Sequence, residues 1–218
     1  MPDDLRSRID GEEFDYLALL SALKGYARPR DRITALLRQG EIVRVKKGIY
    51  VFGEGFRLRP FSPEVLANRL FGPSYVSLDS ALWRHGLIPK RPEAVTSVTW
   101  GRPRRFATPV GLFVYRPLSL RAYRIGIDQA LSEGGRPFLI ATPEKALADK
   151  VHDARGTALL SLYGMTSYLT EHLQIAPERL ARLDVAKLAE IRYCFHSAKM
   201  RLLLNVVRRL AAARKGEP

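Results

Sequence analysis

Between Lys24 and Val51 the chain reads KGYARPRDRITALLRQGEIVRVKKGIYV, and this stretch leaves little conformational choice. Pro29 suits the first position of a helix, where its missing N–H has no partner and its fixed φ is already helical. Gly40 suits the position just past the end. The spacing therefore predicts a helix over about Pro29 to Gln39. Ile33, Leu36 and Leu37 fall on one stripe at the i, i+3, i+4 interval, which sets Arg28, Asp31, Thr34, Ala35 and Arg38 opposite, with Arg30 and Arg32 on the flanks. One side is to be buried, and the other presents arginines.

Directly after Gly40, the runs Ile42 to Val45 and Ile49 to Val51 are rich in β-branched residues and are separated by Lys46-Lys47-Gly48, where glycine can supply a positive φ. The expectation is a β-hairpin with two lysines at its tip. Upstream, Glu13 to Ala22 carries Phe14, Leu17, Ala18 and Leu20 at helical spacing, and Lys24-Gly25-Tyr26 forms the turn between two helices. Helix, turn, helix, hairpin is the plan of a winged helix-turn-helix. In that arrangement the second helix enters the major groove of double-stranded DNA, with Arg28, Arg30, Arg32, Thr34 and Arg38 toward bases and backbone and Lys46 and Lys47 reaching phosphates or the minor groove. The competing expectation is a solvated cationic face on a small packing unit.

Charge supports the first expectation. The 218 residues hold 36 Lys and Arg against 22 Asp and Glu, a net +14, with a pI near 10.3, and such a balance favours a polyanion as partner. The excess is localised: Lys24 to Arg59 has ten Lys and Arg against Asp31, Glu41 and Glu54, and Arg192 to Lys215 has seven with no acid. A single cysteine, Cys194, permits no intrachain disulfide and suits a reducing compartment; its apolar helical context marks it as core rather than nucleophile. The acidic, polar N-terminus is unlike a signal peptide and no apolar run reaches membrane-spanning length, so the expected location is the cytoplasm, with no membrane partner.

The length suits one large or two modest domains, and the expected division is 1–60, the winged unit, and 61–218, a mixed α/β domain ending in helices; the fold class is α+β. Gly53 to Pro60 reads as an exit segment. Ser62 can cap a helix that begins at Pro63 and stops at Gly72-Pro73. Ser77 is placed to cap a second helix ending at Gly86, and Asp79 sits in its first turn. Ser77, Asp79 and His85 include the residue types of a hydrolase triad, but capping accounts for the first two without chemistry. Strand-like runs follow at Ala94 to Trp100, Leu112 to Tyr115 and Phe138 to Ala141. The loop Gly101-Arg102-Pro103-Arg104-Arg105 is either a solvated connection or an auxiliary phosphate contact through Arg102, Arg104 and Arg105. Thr142-Pro143-Glu144-Lys145 opens a helix with cap, proline and acid in order. The tail, Val185 to Phe195 and Ala198 to Ala213, is helical by period, with Lys199, Arg201, Arg208 and Arg209 outside its apolar stripe, either as the charged outer face of a surface helix or as a nonspecific DNA or RNA contact.

The order of several of these pieces resembles the AbiEi antitoxins of type IV toxin–antitoxin systems, bacterial abortive-infection modules. The likeness rests on a basic turn followed by Gly-Ile-Tyr-Val (Lys46 to Val51), then Tyr75-Val76-Ser77-Leu78-Asp79-Ser80-Ala81-Leu82, His85-Gly86-Leu87, and Ala141-Thr142-Pro143-Glu144-Lys145-Ala146-Leu147-Ala148-Asp149; it covers about Glu12 to Asp153. It implies a repressor of its own operon that binds inverted repeats in its promoter, helped by a basic face of the second domain. It also implies an antitoxin that counteracts a nucleotidyltransferase toxin without a stable complex. Ser77, Ser80, His85, Glu144, Lys145 and Asp149 would then be architectural or part of an antitoxin surface.

Two rivals stand beside this. A nuclease of the restriction-enzyme type usually carries an acid, one spacer and a lysine, and no Asp or Glu here has Lys two positions later. His85, His152, His172 and His196 show no i, i+4 pairing that would suggest zinc, and no glycine-rich phosphate loop occurs, so neither enzyme activity nor a cofactor is expected. A stand-alone winged-helix regulator with an effector pocket in the second domain shares the same DNA-binding end.

Overall fold

Asp15 decides how the N-terminal unit begins. Its carboxylate accepts the Ala18 N–H at 2.8 Å and caps a helix starting at Tyr16, which leaves the preceding residues extended. In the computed structural model, which describes residues 5–216, a short helix α1 (Leu5–Arg8) precedes strand β1 (Glu13–Asp15), helix α2 (Tyr16–Ala22) and helix α3 (Pro29–Arg38). Glu13 to Asp15 are thus strand rather than helix, because Phe14 packs into the sheet against the rings of Tyr50 and Phe52. Gly40, with φ of 70°, ends α3 as expected and turns the chain into β2 (Ile42–Lys46) and β3 (Ile49–Phe52). The three strands pair antiparallel in the order β1-β3-β2.

This small sheet is covered on both sides. Ile42, Tyr50 and Phe52 join Phe14, Leu19, Ile33 and Leu36 in one hydrophobic cluster, whereas Val45 and Val51 belong to a second, larger one formed with the rest of the chain. A register shift between Arg44 and Lys46 re-aims the end of β2 toward that larger core. Burying two valines there stabilises the junction by roughly 1.5–3 kcal/mol each. Polar contacts add to it. The Glu13 carboxylate accepts the Ser62 N–H and lies 3.4 Å from Arg136 Nη1, while Arg136 and Arg69 donate to the Glu13 carbonyl at 2.7 and 3.1 Å.

The remainder is built on a mixed six-stranded sheet in the order β6-β7-β5-β4-β9-β8. Helix α4 (Pro63–Leu70) leads into β4 (Ser74–Val76), α5 (Leu78–Arg84), β5 (Ala94–Thr99), β6 (Arg104–Thr108), β7 (Gly111–Pro117), α6 (Leu120–Tyr123), β8 (Ile127–Leu131) and β9 (Pro137–Ala141). Helices α7 (Pro143–Asp153), α8 (Leu162–Ser167), α9 (Pro177–Leu180), α10 (Val185–Tyr193) and α11 (Ala198–Gly216) complete the described chain. Two of the three expected caps form: Ser62 Oγ accepts the Val65 N–H at 3.2 Å and Thr142 Oγ1 the Lys145 N–H at 3.3 Å, whereas Ser77 stands at the start of α5 without a side-chain cap bond because its hydroxyl is drawn to Asp149.

The sequence reading did not assign β4, β6 or β8 as strands. β4 has only three residues, buried on both faces, so no alternation marks it. β6 begins inside the basic segment read as a loop, which puts Arg104 and Arg105 on an edge strand and leaves only Arg102 in the connection.

Strand register defines the two faces. Val76, Ser97 and Tyr115 are aligned neighbours, and the Tyr115 hydroxyl donates to Ala67 O at 2.7 Å, so this face looks to α4. Tyr75, Val98 and Arg116 form the opposite row, with Tyr75 reaching Asp149 and Arg116 reaching Asp153, both on α7. The N-terminal unit docks on the α4 side, through Arg69, Leu70 and Phe106.

Candidate nucleic-acid interface

Helix α3 buries Ile33 and Leu36 and turns the other side of its circumference to solvent, as its apolar spacing requires. Arg30, Thr34 and Arg38 are exposed, and Arg28, just before the first turn, has 86% of its side chain accessible. Arg28 lies 4.0 Å from Asp31, whose side chain is 74% accessible, a pair that water screens heavily. The Thr34 hydroxyl donates to the Arg30 carbonyl at 3.1 Å, so its lone pairs face outward as acceptors. These four residues share the solvent side of α3 with the exposed Asp31.

Arg32 does not join them. Its guanidinium folds back to within 3.9 Å of Glu41 and 5.7 Å of the Tyr26 ring centroid, and its Nε is buried without a hydrogen-bond partner. The helical wheel places Arg32 on a flank, and tertiary packing of the α2–α3 turn captures it. Lys46 is likewise withdrawn. It ends β2 rather than occupying the tip, and its ammonium donates to Leu70 O at 2.8 Å while lying 4.4 Å from the Phe106 ring centroid. The tip is Lys47-Gly48, with Lys47 exposed and Gly48 at φ of 87°. Arg44, exposed on β2, is a cation that the sequence reading passed over; its place between Val43 and Val45 in a strand-like run was the available signal.

Arg102, Arg104 and Arg105 are all exposed. Because Arg104 shares a strand face with Phe106, it stands two positions, about 7 Å, along β6 from the ring that Lys46 covers. Its guanidinium lies 6.0 Å from the Phe71 ring centroid. The docked hairpin and the edge strand therefore bring Arg104 into the neighbourhood of Lys46, although the two come from different halves of the chain.

Most of the polar residues in the second unit's motifs go inward. Ser77 Oγ donates to Asp149 Oδ2 at 2.6 Å, the Tyr75 hydroxyl approaches the same oxygen at 3.3 Å, and Lys145 Nζ pairs with Oδ1, one turn away on α7. Burial pushes the Asp149 carboxyl above the usual carboxylate range, against the opposing effect of Lys145, and pushes the Lys145 ammonium down. Ser80 Oγ accepts the Thr96 N–H at 2.8 Å, and Glu144 accepts the Asp184 N–H at 3.0 Å. Asp79 instead accepts from Lys150 at 2.7 Å, and His85 Nε2 meets Ala141 O at 2.8 Å. Ser77, Asp79 and His85 thus serve three separate partners and form no triad. Of the two roles open to Ser77, Ser80, Glu144, Lys145 and Asp149, their burial supports the architectural one.

A cleft of about 570 Å³ lies between the N-terminal unit and the second sheet, lined by Glu12, Arg59, Glu64, Trp83, Arg91 and Arg136 among others. Among the described residues no group of three or more His, Cys, Asp and Glu side chains could hold a metal ion, and no helix is long and apolar enough to cross a membrane.

Comparison with known proteins adds no family. No protein-family model matches the chain, and no curated protein matches it.

Proposed function

We propose that this chain is a DNA-binding autorepressor and antitoxin of a type IV toxin–antitoxin system, whose first 60 residues act as a winged helix-turn-helix. The observation that carries the DNA-binding half is the solvent face of α3, where Arg28, Arg30, Thr34 and Arg38 stand together opposite the buried Ile33 and Leu36, with a β-hairpin immediately following. An exposed helix face of this composition fits the major groove, where arginine can donate twice to guanine O6 and N7. Lys47 at the hairpin tip and Arg102, Arg104 and Arg105 on the second unit supply phosphate contacts, and these set affinity and its salt dependence.

The antitoxin half rests on the resemblance of the ordered motifs from Lys46 to Asp149. It implies a neighbouring nucleotidyltransferase toxin that is counteracted without a stable complex. A second reading, a solitary regulator that responds to a small molecule, draws support from the cleft between the two units, the position from which a ligand could alter their docking.

Binding of the purified protein to its own upstream DNA and to a scrambled duplex, at two salt concentrations, tests the proposal. Preference for its own promoter that survives the higher salt is the expected result. Equal binding to both that vanishes with salt would leave only a cationic surface. Co-expression with the adjacent reading frame then separates antitoxin from solitary regulator: rescue of growth supports the former, and the absence of a toxic neighbour the latter.

A further inference from the structure

A second cationic site lies on the opposite side of the molecule. Helix α6 packs on the α7 face of the large sheet, with the Tyr123 ring centroid 5.1 Å from that of Tyr75, whereas the N-terminal unit docks on the α4 face. Between α6 and the α10–α11 turn is an open depression of about 340 Å³ lined by Arg121, Arg192, Tyr193, His196, Ser197 and Arg201, with no carboxylate among the described residues of its wall.

The chemistry of that wall is specific. Arg121 Nη1 donates to His196 Nε2 at 2.8 Å; a guanidinium has no acceptor, so the imidazole nitrogen is the acceptor, and Arg121, itself exposed, keeps its other N–H donors beyond that bond. Arg192 lies 4.5 Å from the Tyr193 ring centroid, which braces the ring against the surface. Tyr193 is nevertheless 61% exposed, a large aromatic held in the open beside three arginines. Along α11 from Arg201, which is part of that wall, Arg208 is exposed seven residues and so about 10 Å on, and Asn205 is exposed between them. Cations that track a backbone, combined with an aromatic platform for a base, are the means by which proteins hold single strands.

We propose that this depression is a binding site for single-stranded nucleic acid, in which Arg121, Arg192 and Arg201 hold phosphates and Tyr193 stacks an unpaired base. It does not depend on the duplex-reading role of α3, and its place on the far face of the sheet separates it from that surface.

The test is fluorescence anisotropy of the full chain with labelled oligouridylate and oligodeoxythymidylate of about ten nucleotides, alongside the promoter duplex. The wild type is expected to bind at least one single strand. The double variant Arg121→Ala/Arg201→Ala and, separately, Tyr193→Ala should each weaken that binding about tenfold. Tyr193→Phe should retain it, and duplex binding should stay unchanged in all three. Preference for the uridylate identifies RNA as the ligand, and equal binding identifies single strands generally. Arg38→Ala, by contrast, should lose duplex preference and keep the oligonucleotide. No binding of either single strand, single-strand binding indifferent to these substitutions, or a parallel fall on duplex and single strand would overturn the proposal.

Discussion

Lys46 donates its ammonium proton to the Leu70 carbonyl at 2.8 Å, tying the end of β2 to the last residue of α4. A neighbour in sequence, Lys47, points into solvent from the hairpin tip. Adjacent lysines therefore have different tasks: one holds two units together and the other is open to a ligand.

Substitution should separate them. Lys46→Ala removes a charge-assisted bond and a cation–π contact, and should lower stability by roughly 1.5–3 kcal/mol with little change in the salt dependence of duplex binding. Lys47→Ala should leave the melting temperature unchanged and reduce the slope of log affinity against log salt by about 1. Thermal melts and salt titrations of both variants decide this; a steep loss of salt slope in Lys46→Ala would return that residue to the interface.

The arginines of α3 should divide in the same way. Arg38→Ala or Arg28→Ala should cost about 1–3 kcal/mol on the promoter and relax its sequence preference. Arg32→Ala should act on stability instead, since its guanidinium is engaged by Glu41 and Tyr26. Equal losses on promoter and random duplexes would reduce Arg28 and Arg38 to phosphate contacts.

Lys145 and Asp149 form a fully buried pair, and removing one partner strands the other. Lys145→Met should destabilise the protein by about 3–5 kcal/mol near neutral pH, and Lys145→Met/Asp149→Leu by much less than the two single changes together. In Lys145→Met the carboxyl that burial already pushes up loses its main opposing charge. A carboxyl with a folded pKa above its unfolded value contributes stability that is present below the unfolded value and lost as pH rises through the folded one. The gap from wild type should therefore narrow on acidification, by up to about 1.4 kcal/mol per pH unit within that window. Urea denaturation at several pH values reads it; a gap that widens toward acid would contradict the assignment.

Gly53 has no room for a side chain. A Cβ built there would stand 1.8 Å from the Gly40 carbonyl oxygen, where the Gly53 N–H also donates to Glu41 O at 2.8 Å. Gly53→Ala should force the end of β3 away from the α3–β2 turn and cost roughly 1–3 kcal/mol. Denaturant titration checks the loss, and unchanged stability would mean that this turn moves freely.

Local chemistry made several parts of this chain readable without coordinates. Pro29 and Gly40 bounded α3 because both act through their own backbone, and Ile33 and Leu36 marked its buried side through a period that belongs to the helix itself. Ser62, Thr142 and the short apolar run Phe138 to Ala141 in β9 were legible for the same reason. Strand β4 was not, because three residues buried on both faces show no period, and β6 was hidden by arginines whose exposure follows from lying at a sheet edge. Sequence by itself determined the amphipathic helix, the hairpin after it, the caps at Ser62 and Thr142 and the surplus of positive charge. Only the tertiary structure decided that Lys46 and Arg32 are spent on packing, that Ser77 serves Asp149, and that Arg121, Arg192 and Arg201 line one depression with Tyr193. Those outcomes depend on which distant surfaces come within hydrogen-bonding reach, and an ammonium or guanidinium on a long flexible stem carries no local mark of which partner it will find.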